Sequence, residues 1–408
     1  MKKLIFLFAI SLSLTKILAA DMVNEQIDIT TIRNYIGDVQ PLEHTKAQIR
    51  FGFLNLNMAD ESLNDTKSFA IGGHLHLGSK RWHGVKVSFE SYAVKDLTLL
   101  YNSDDTNRDF FDSQGNGFIT LSQAFIDGKF KNTTIKLGRQ MINTPHLDSD
   151  DIRMMPNYFQ AFVIKNSDFK NLELTVAKVD KMAGWENGLD SSKFIDIEKV
   201  AGSDKNSDGL YMLSAVYNGI EDFNFQAWYY YLRDLYDIIY LEIVKEFKVN
   251  QATFTLGLQY DRSNGIGSML LGDIGSSTYG ITLHTHYSGL QLLFAYNKDL
   301  GKTGAIGSFG GGPFFTSLED QTIDAIGEKG DAWIIGCEYN FKNFKLSTIY
   351  GSFQAKNKEI YNVTETDFIS EYEISNRFSV TLAYAMINDK NLNNGYNQLR
   401  FIMNYNFW

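Results

Sequence analysis

Residues 138–160 read Gly138-Arg139-Gln140-Met141-Ile142-Asn143-Thr144-Pro145-His146-Leu147-Asp148-Ser149-Asp150-Asp151-Ile152-Arg153-Met154-Met155-Pro156-Asn157-Tyr158-Phe159-Gln160. The stretch leaves an alternating segment at Gln140 and enters another near Tyr158. Between them stand two of the four prolines, three aspartates, a histidine and an arginine. A connection this long and this charged serves a function rather than only a turn. The expectation is that residues 141–157 fold into the lumen of a membrane barrel and narrow it. Whether that holds depends on what the flanking segments are.

The flanking segments alternate with period two over about ten residues, the length that a tilted strand needs to cross a bilayer. Phe69, Ile71, Leu75 and Leu77 share one face, and Ala70, Gly72, His74 and His76 the other. Val85, Val87 and Phe89 alternate with Lys86, Ser88 and Glu90. Ala252 to Tyr260, Tyr279 to Tyr287, Phe378 to Met386 and Leu399 to Phe407 repeat the pattern. In a soluble sandwich the apolar face turns inward; in an outer-membrane barrel it meets lipid and the polar face lines water. Faces rich in Lys, Arg, Asn, Gln and Glu favour the second. The fold expected is all-β, a transmembrane antiparallel barrel. Short links such as residues 217–222 and 288–289 alternate with long ones at 97–116, 141–157, 184–208, 262–276, 300–330 and 356–366. That asymmetry fits periplasmic turns and extracellular loops. Pro41, Pro145, Pro156 and Pro313 all fall outside the strands, as ladder bonding requires.

The first twenty residues carry Lys2-Lys3, an apolar run from Leu4 to Leu14 and Ala19-Ala20, the pattern of a secretory signal peptide. Residues 21–44 form a polar periplasmic lead-in with a short helix expected near Ile27 to Ile36, and residues 45–408 the barrel. No apolar run reaches the roughly 20 residues of a spanning helix. The single cysteine, Cys337, leaves no internal disulfide. A net charge of −10 argues against a nucleic-acid partner. Aromatics at 14% suit interfacial girdles, and Trp228-Tyr229-Tyr230-Tyr231 reads as a girdle segment. The exterior partners are then outer-membrane lipid and lipopolysaccharide. The strand ending at Trp408 is the element that barrel-assembly machinery reads. Both a monomer and a loose homotrimer fit.

In Gly138-Arg139-Gln140, Asn143-Thr144-Pro145, the acidic run Asp148 to Asp151, and Arg153-Met154-Met155-Pro156-Asn157-Tyr158-Phe159, the chain resembles the OprD-type outer-membrane porins, the outer-membrane carboxylate channels. Glu371-Tyr372-Glu373 and Asn397-Gln398-Leu399-Arg400-Phe401 resemble it more loosely. The resemblance implies eighteen strands, a constriction built by the third loop and a basic line along one wall. It implies passive passage of small polar solutes, many bearing a carboxylate, with no cofactor and no catalysis. Candidates for the basic line are Arg50, Lys86, Lys136, Arg139, Arg153, Arg377 and Arg400. Strict alternation groups Arg139 with Ile135 and Leu137 on the outer face, so a lumenal position needs a bulge; the motif favours the lumen. Candidates for the constriction are Asn143, Pro145, His146, Asp148, Asp150 and Asp151. A guanidinium fork grips a carboxylate in two places, and opposed charges across an eyelet orient dipolar solutes.

Other motifs weigh less. His74-x-His76 and His284-x-His286 each put two imidazoles on one face, but lack the acidic or thiol company of a metal site, and polar lumen lining is expected. Asp204-x-Asn206-x-Asp208-Gly209 starts like a calcium loop but has Ala215 at the twelfth position, which excludes an EF-hand and leaves weak calcium binding open. Gly301-Lys302-Thr303 lacks the upstream glycine of a phosphate loop. The run from Gly304 to Pro313 reads as a flexible external loop. Two other classes compete: a barrel enzyme, protease or phospholipase, and an exported soluble sandwich. The first needs a nucleophile beside a positioned base, and no such grouping assembles from the sequence.

Overall fold

The computed structural model describes residues 42–97, 106–392 and 394–407. The strands are β1 (Leu42–Met58), β2 (Thr66–Ser79), β3 (Val85–Asp96), β4 (Phe118–Phe130), β5 (Thr133–Gln140), β6 (Tyr158–Asn166), β7 (Leu172–Ala183), β8 (Ile195–Asp196), β9 (Leu210–Tyr217) and β10 (Phe223–Leu232). They continue as β11 (Tyr236–Val249), β12 (Ala252–Gly265), β13 (Gly275–Tyr287), β14 (Leu290–Asp299), β15 (Gly330–Phe341), β16 (Phe344–Ala355), β17 (Asn362–Ser375), β18 (Phe378–Asp389) and β19 (Asn394–Asn406). Each pairs antiparallel with its neighbour, and β1 closes the ring on β19 from Gln48↔Asn406 to Met58↔Tyr396. The two-residue β8 only flanks β7, and β7 pairs directly with β9, so eighteen strands make the barrel. Closure leaves no free sheet edge, which is what a sheet in lipid requires.

The pleat is inside out. On β17 Glu365 and Asp367 are buried, while the intervening side of the strand shows Phe368 at 48% exposure. On β13 Thr278 and Thr282 are buried while Tyr279, Ile281 and Leu283 are exposed. The same outward apolar residues recur round the ring as Leu137, Phe162, Leu213, Leu241, Leu258, Leu292, Ile335 and Leu382. So continuous an apolar belt is tolerated only against lipid. It also disposes of the soluble sandwich, whose apolar face would be the hidden one.

One end of the barrel carries tight turns, such as residues 131–132, 250–251, 288–289 and 342–343, and the other the long connections. Strand ends differ slightly from expectation. β1 begins at Leu42, inside the expected lead-in. The connection expected at 262–276 spans 266–274, and that at 356–366 spans 356–361, because β12, β13 and β17 run further. Arg233 to Leu235 form a tight link at the long-loop end between β10 and β11. The connection from β7 to β9 holds a turn at Trp185–Asn187, β8 and a four-residue helix, α1 (Ile197–Val200). The expected signal peptide, the helix near Ile27 to Ile36 and Trp408 lie outside the described residues.

Candidate functional site

Residues 141–157 traverse the interior. Pro145 and Pro156 keep the segment out of the ladder. Instead Thr144 and Leu147 form a local bridge, the Thr144 N–H reaching the Leu147 carbonyl at 2.7 Å. Ser149 Oγ bonds both the N–H and the carbonyl of Ile142. This compact turn drives His146 into a fully buried site among Tyr230, Tyr240 and Phe314. There His146 Nε2 lies 2.7 Å from Asp261 of β12. At its other end Asp151 receives the Arg50 fork of β1, at 2.5 and 2.8 Å. β1 and β12 stand ten strand steps apart in one direction and eight in the other. A segment tied to both therefore crosses the barrel near its diameter.

A second connection meets it from the far wall. In residues 300–329, Phe309 pairs with Leu147 in a parallel bridge: the Phe309 N–H donates to the His146 carbonyl at 2.9 Å, and the Asp148 N–H to the Phe309 carbonyl at 3.1 Å. Gly310 and Gly311, with φ of +93° and +63°, bring the backbone against Asp148 where a side chain would collide. Further along, Glu365 of β17 accepts the N–H groups of Asp320 and Gln321 at 3.0 and 2.7 Å, and Asp367 that of Glu319 at 3.3 Å. Arg400 Nη2 of β19 donates to Glu319 at 3.0 Å, with Nη1 2.8 Å from its other oxygen. Wall carboxylates thus hold backbone donors, and wall arginines hold loop carboxylates. The run from Gly304 to Pro313, expected to be a flexible external loop, is corrected: Ala305, Phe309 and Pro313 are buried.

The candidate basic residues separate into groups. Arg50, Arg153 and Arg400 face inward and are each at most 3% exposed. Arg50 also donates to the Arg153 carbonyl at 2.7 Å and to Asn404 at 2.7 Å. Arg153 stacks on Trp185 at 4.2 Å, lies 3.5 Å from Asp109 and donates to Gln398. Lys86 and Lys136 face inward near the short-turn end, Lys86 3.7 Å from Asp127 and Lys136 over the Phe125 ring. Two expectations are corrected. Arg139 shares the outward parity of Leu137, which is 55% exposed, and the β5 ladders run without a register shift. No bulge re-aims it, and it instead donates to the Leu121 carbonyl and covers Phe194. Arg377 is not on a strand face but in the exposed turn between β17 and β18, its carbonyl accepting the Asn406 N–H.

Of the loop candidates, His146 is a buried strut, Asn143 is exposed with Oδ1 facing the Ser149 N–H, and Pro145 is half-buried in the turn. Asp148 and Asp150 are half-buried, and burial raises both carboxyls above the ordinary range. Asp151 remains exposed beside Arg50. Two cavities flank the crossing. One of about 430 Å³ lies towards the long loops, lined by Asp109, Asp112, Trp185 and Asp190. One of about 540 Å³ opens towards the short turns, lined by Lys46, His74, His76, Glu90, Asp151 and Tyr158.

Sequence reasoning missed several residues. Glu365, Asp367 and Asp261 carry a usable signal, acidic residues at inward parity. Glu186, which reaches Gly311 and Asn157, and Asp109 carry none, since nothing in their neighbourhood fixes which strands their loops visit. Tyr230 was expected in an interfacial girdle; it points inward, 1% exposed, and its hydroxyl meets Thr144 at 3.1 Å. Asp208, expected as an open calcium candidate, pairs with Lys178 at 3.2 Å. Among the described residues no group of acidic, histidine or cysteine side chains is placed to hold a metal ion.

A closed barrel of eighteen strands with an apolar exterior and charged connections across its interior defines an outer-membrane channel for small solutes. A family profile described as outer membrane porin, OprD family, matches residues 85–408. This chain belongs to the OprD family of outer-membrane porins, proteins of the Gram-negative outer membrane. A search of curated protein sequences finds no match. Among solved structures, OpdK of Pseudomonas aeruginosa with vanillate is similar over 90% of this chain and 100% of its own, at 18% identity and TM-score 0.75. OccK9 (OpdG) of the same organism matches over 89% and 97%, at 16% identity and TM-score 0.79. A BenF-like porin of Pseudomonas fluorescens Pf-5 matches over 90% and 99%, at 17% identity and TM-score 0.77.

Proposed function

We propose that this channel is partly selective, that it admits small polar solutes including carboxylate-bearing ones through a lumen narrowed by residues 141–157, and that it performs no catalysis. The carrying observation is the crossing itself, with Asp151 on Arg50 of β1 and His146 on Asp261 of β12. A strut fixed at both walls divides the cross-section, and the flanking cavities supply an entrance and an exit. In the cavity nearer the short turns Glu90 already receives Tyr158 and Ser122 and neighbours His76, and Asp151 is taken by Arg50. Lys46 and His74 have no ion-pair partner among the described residues. Lys46 supplies the attraction for a solute carboxylate, weak enough for release, and the His74 ring a polar lining beside it. OpdK was solved with vanillate, itself a carboxylate. Against catalysis, the fully buried His146–Asp261 pair is closed to solute and His146 Nδ1 has no hydrogen-bond partner, and at the His76–Glu90 pair the carboxylate is held by Tyr158 and Ser122, so neither pair activates a nucleophile.

Residues 1–20 would direct export, and the aromatic last strand would engage the assembly machinery. The test is current across a planar bilayer. The intact protein should give resolved conductance steps, and deletion of residues 144–150 should raise the unit conductance at least twofold. A folded barrel that passes no current refutes the channel, and an unchanged step in the deletion refutes the narrowing.

A further inference from the structure

Three connections converge on Glu186. Its Oε1 accepts the Gly311 N–H at 3.0 Å, from residues 300–329, and its Oε2 accepts Asn157 Nδ2, from residues 141–157. Glu186 itself belongs to the turn between β7 and β9. The charges around it are unbalanced. Arg50 is matched by Asp151, Arg400 by Glu319 and Arg153 by Asp109. Asp148, Asp150 and Glu186 have no ion-pair partner among the described residues, and all three keep some exposure. Asn157, fully buried in the same junction, has an Oδ1 with no hydrogen-bond donor among the described residues.

We propose that Glu186 is a specificity-determining residue of the passage: ionised, it supplies the charge that makes the loop junction prefer cations, and protonated, it removes it. The proposal rests on the passage reading above. Uncompensated carboxylates between low-dielectric walls focus the field and concentrate cations. The groups facing Glu186 are Asp148, Asp150 and Arg153 from residues 141–157 and the Gly311 N–H from residues 300–329. Behind them stand Asp109 on Arg153 and the Arg400–Glu319 pair. Burial, reinforced by Asp150 and opposed by Asn157, Gly311 and Arg153, pushes the Glu186 carboxyl up to about 7. The group is therefore neutral below that pH and charged above it. A neutral carboxyl still offers an acceptor to the Gly311 N–H, so the change is one of charge more than of docking.

The experiment is the reversal potential in planar bilayers under a potassium chloride gradient, between pH 5.5 and 8.5. The cation-to-anion permeability ratio of the intact protein should rise roughly sixfold through pH 7, the effect of one charge attracting the cation and repelling the anion over about 8 Å of water. Glu186→Gln should hold the acid-side ratio throughout. Asp148→Asn should lower the ratio at every pH and keep the rise. A ratio independent of pH in the intact protein, or a full rise retained in Glu186→Gln, overturns the assignment. Absence of any current would instead refute the passage reading, a result distinguishable from conductance without pH-dependent selectivity.

Discussion

Arg50 is the residue whose removal tests the crossing most sharply. Its guanidinium makes two bonds to Asp151, one to the buried Arg153 carbonyl and one to Asn404. Asp151 is 45% exposed at its side chain, so water replaces much of that pair, leaving on the order of 1 kcal/mol. The Arg153 carbonyl is deeply placed and loses its donor at a cost of about 1–3 kcal/mol. Arg50→Met should therefore weaken docking of the loop by about 3 kcal/mol, a factor of about 100 in the population of the undocked segment. Trypsin cleavage after Arg153 in detergent-solubilised protein reads that population, provided that redocking outpaces cutting. The rate should rise about 100-fold in Arg50→Met and about fivefold in Asp151→Asn. In the double variant the effects should fall short of additive by about 1 kcal/mol, since the lost pair is counted once. Cleavage within threefold of the intact protein in all three variants would refute the clamp.

Gly310→Ala would drive a Cβ into the Asp148 carbonyl at a left-handed φ of +93°, at a cost of about 2 kcal/mol or more. It should increase open-channel current noise while leaving the thermal midpoint of the barrel within a few degrees; quiet channels would show that residues 141–157 and 300–329 are not mutually supporting. Arg139→Gln, on the outer face, should leave the reversal potential unchanged at every pH, and a shift would return Arg139 to the passage.

The barrel was legible because its signal is redundant. Each strand states the same period-two pattern, and a single misplaced end, such as that of β12 at Gly265, costs nothing in the topology. Residues 141–157 were legible as a long charged connection kept out of the ladder, from their prolines and charges. Their partners were not. Which wall Asp151 reaches depends on where β1 stands relative to β5 and on the path between them, and alternation carries no such information. Arg50 and Arg400 were placed inward correctly by parity, yet parity cannot say whether an inward guanidinium faces water or another segment. Arg139 shows the reverse: there the ladder keeps the outward parity of alternation, whereas the family motif points to the lumen. Arg377 followed a strand expected to be longer than the turn between β17 and β18 allows. Glu186 carried no periodic pattern at all, because its position is set by three loops meeting, a property of the tertiary structure alone.

The pairing of charges has a consequence for how solutes are sorted. A guanidinium at 2–3% exposure inside the barrel demands a partner, since an isolated buried charge costs several kcal/mol. Arg50, Arg153 and Arg400 meet that demand with Asp151, Asp109 and Glu319, all on connections rather than on strands. A solute carboxylate that sought these forks would have to displace a loop carboxylate already held at covalently limited range, a competition in which effective concentration favours the loop. The buried arginines therefore fix the shape of the passage, and the groups left to meet solute are those without partners. Those are Lys46 on the short-turn side, and Asp148, Asp150 and Glu186 at the junction. Opposite unpartnered charges in series along one path orient a dipolar solute with its cationic end towards the junction and its carboxylate towards the short turns. A solute bearing both groups should accordingly pass faster than its purely anionic analogue of equal size.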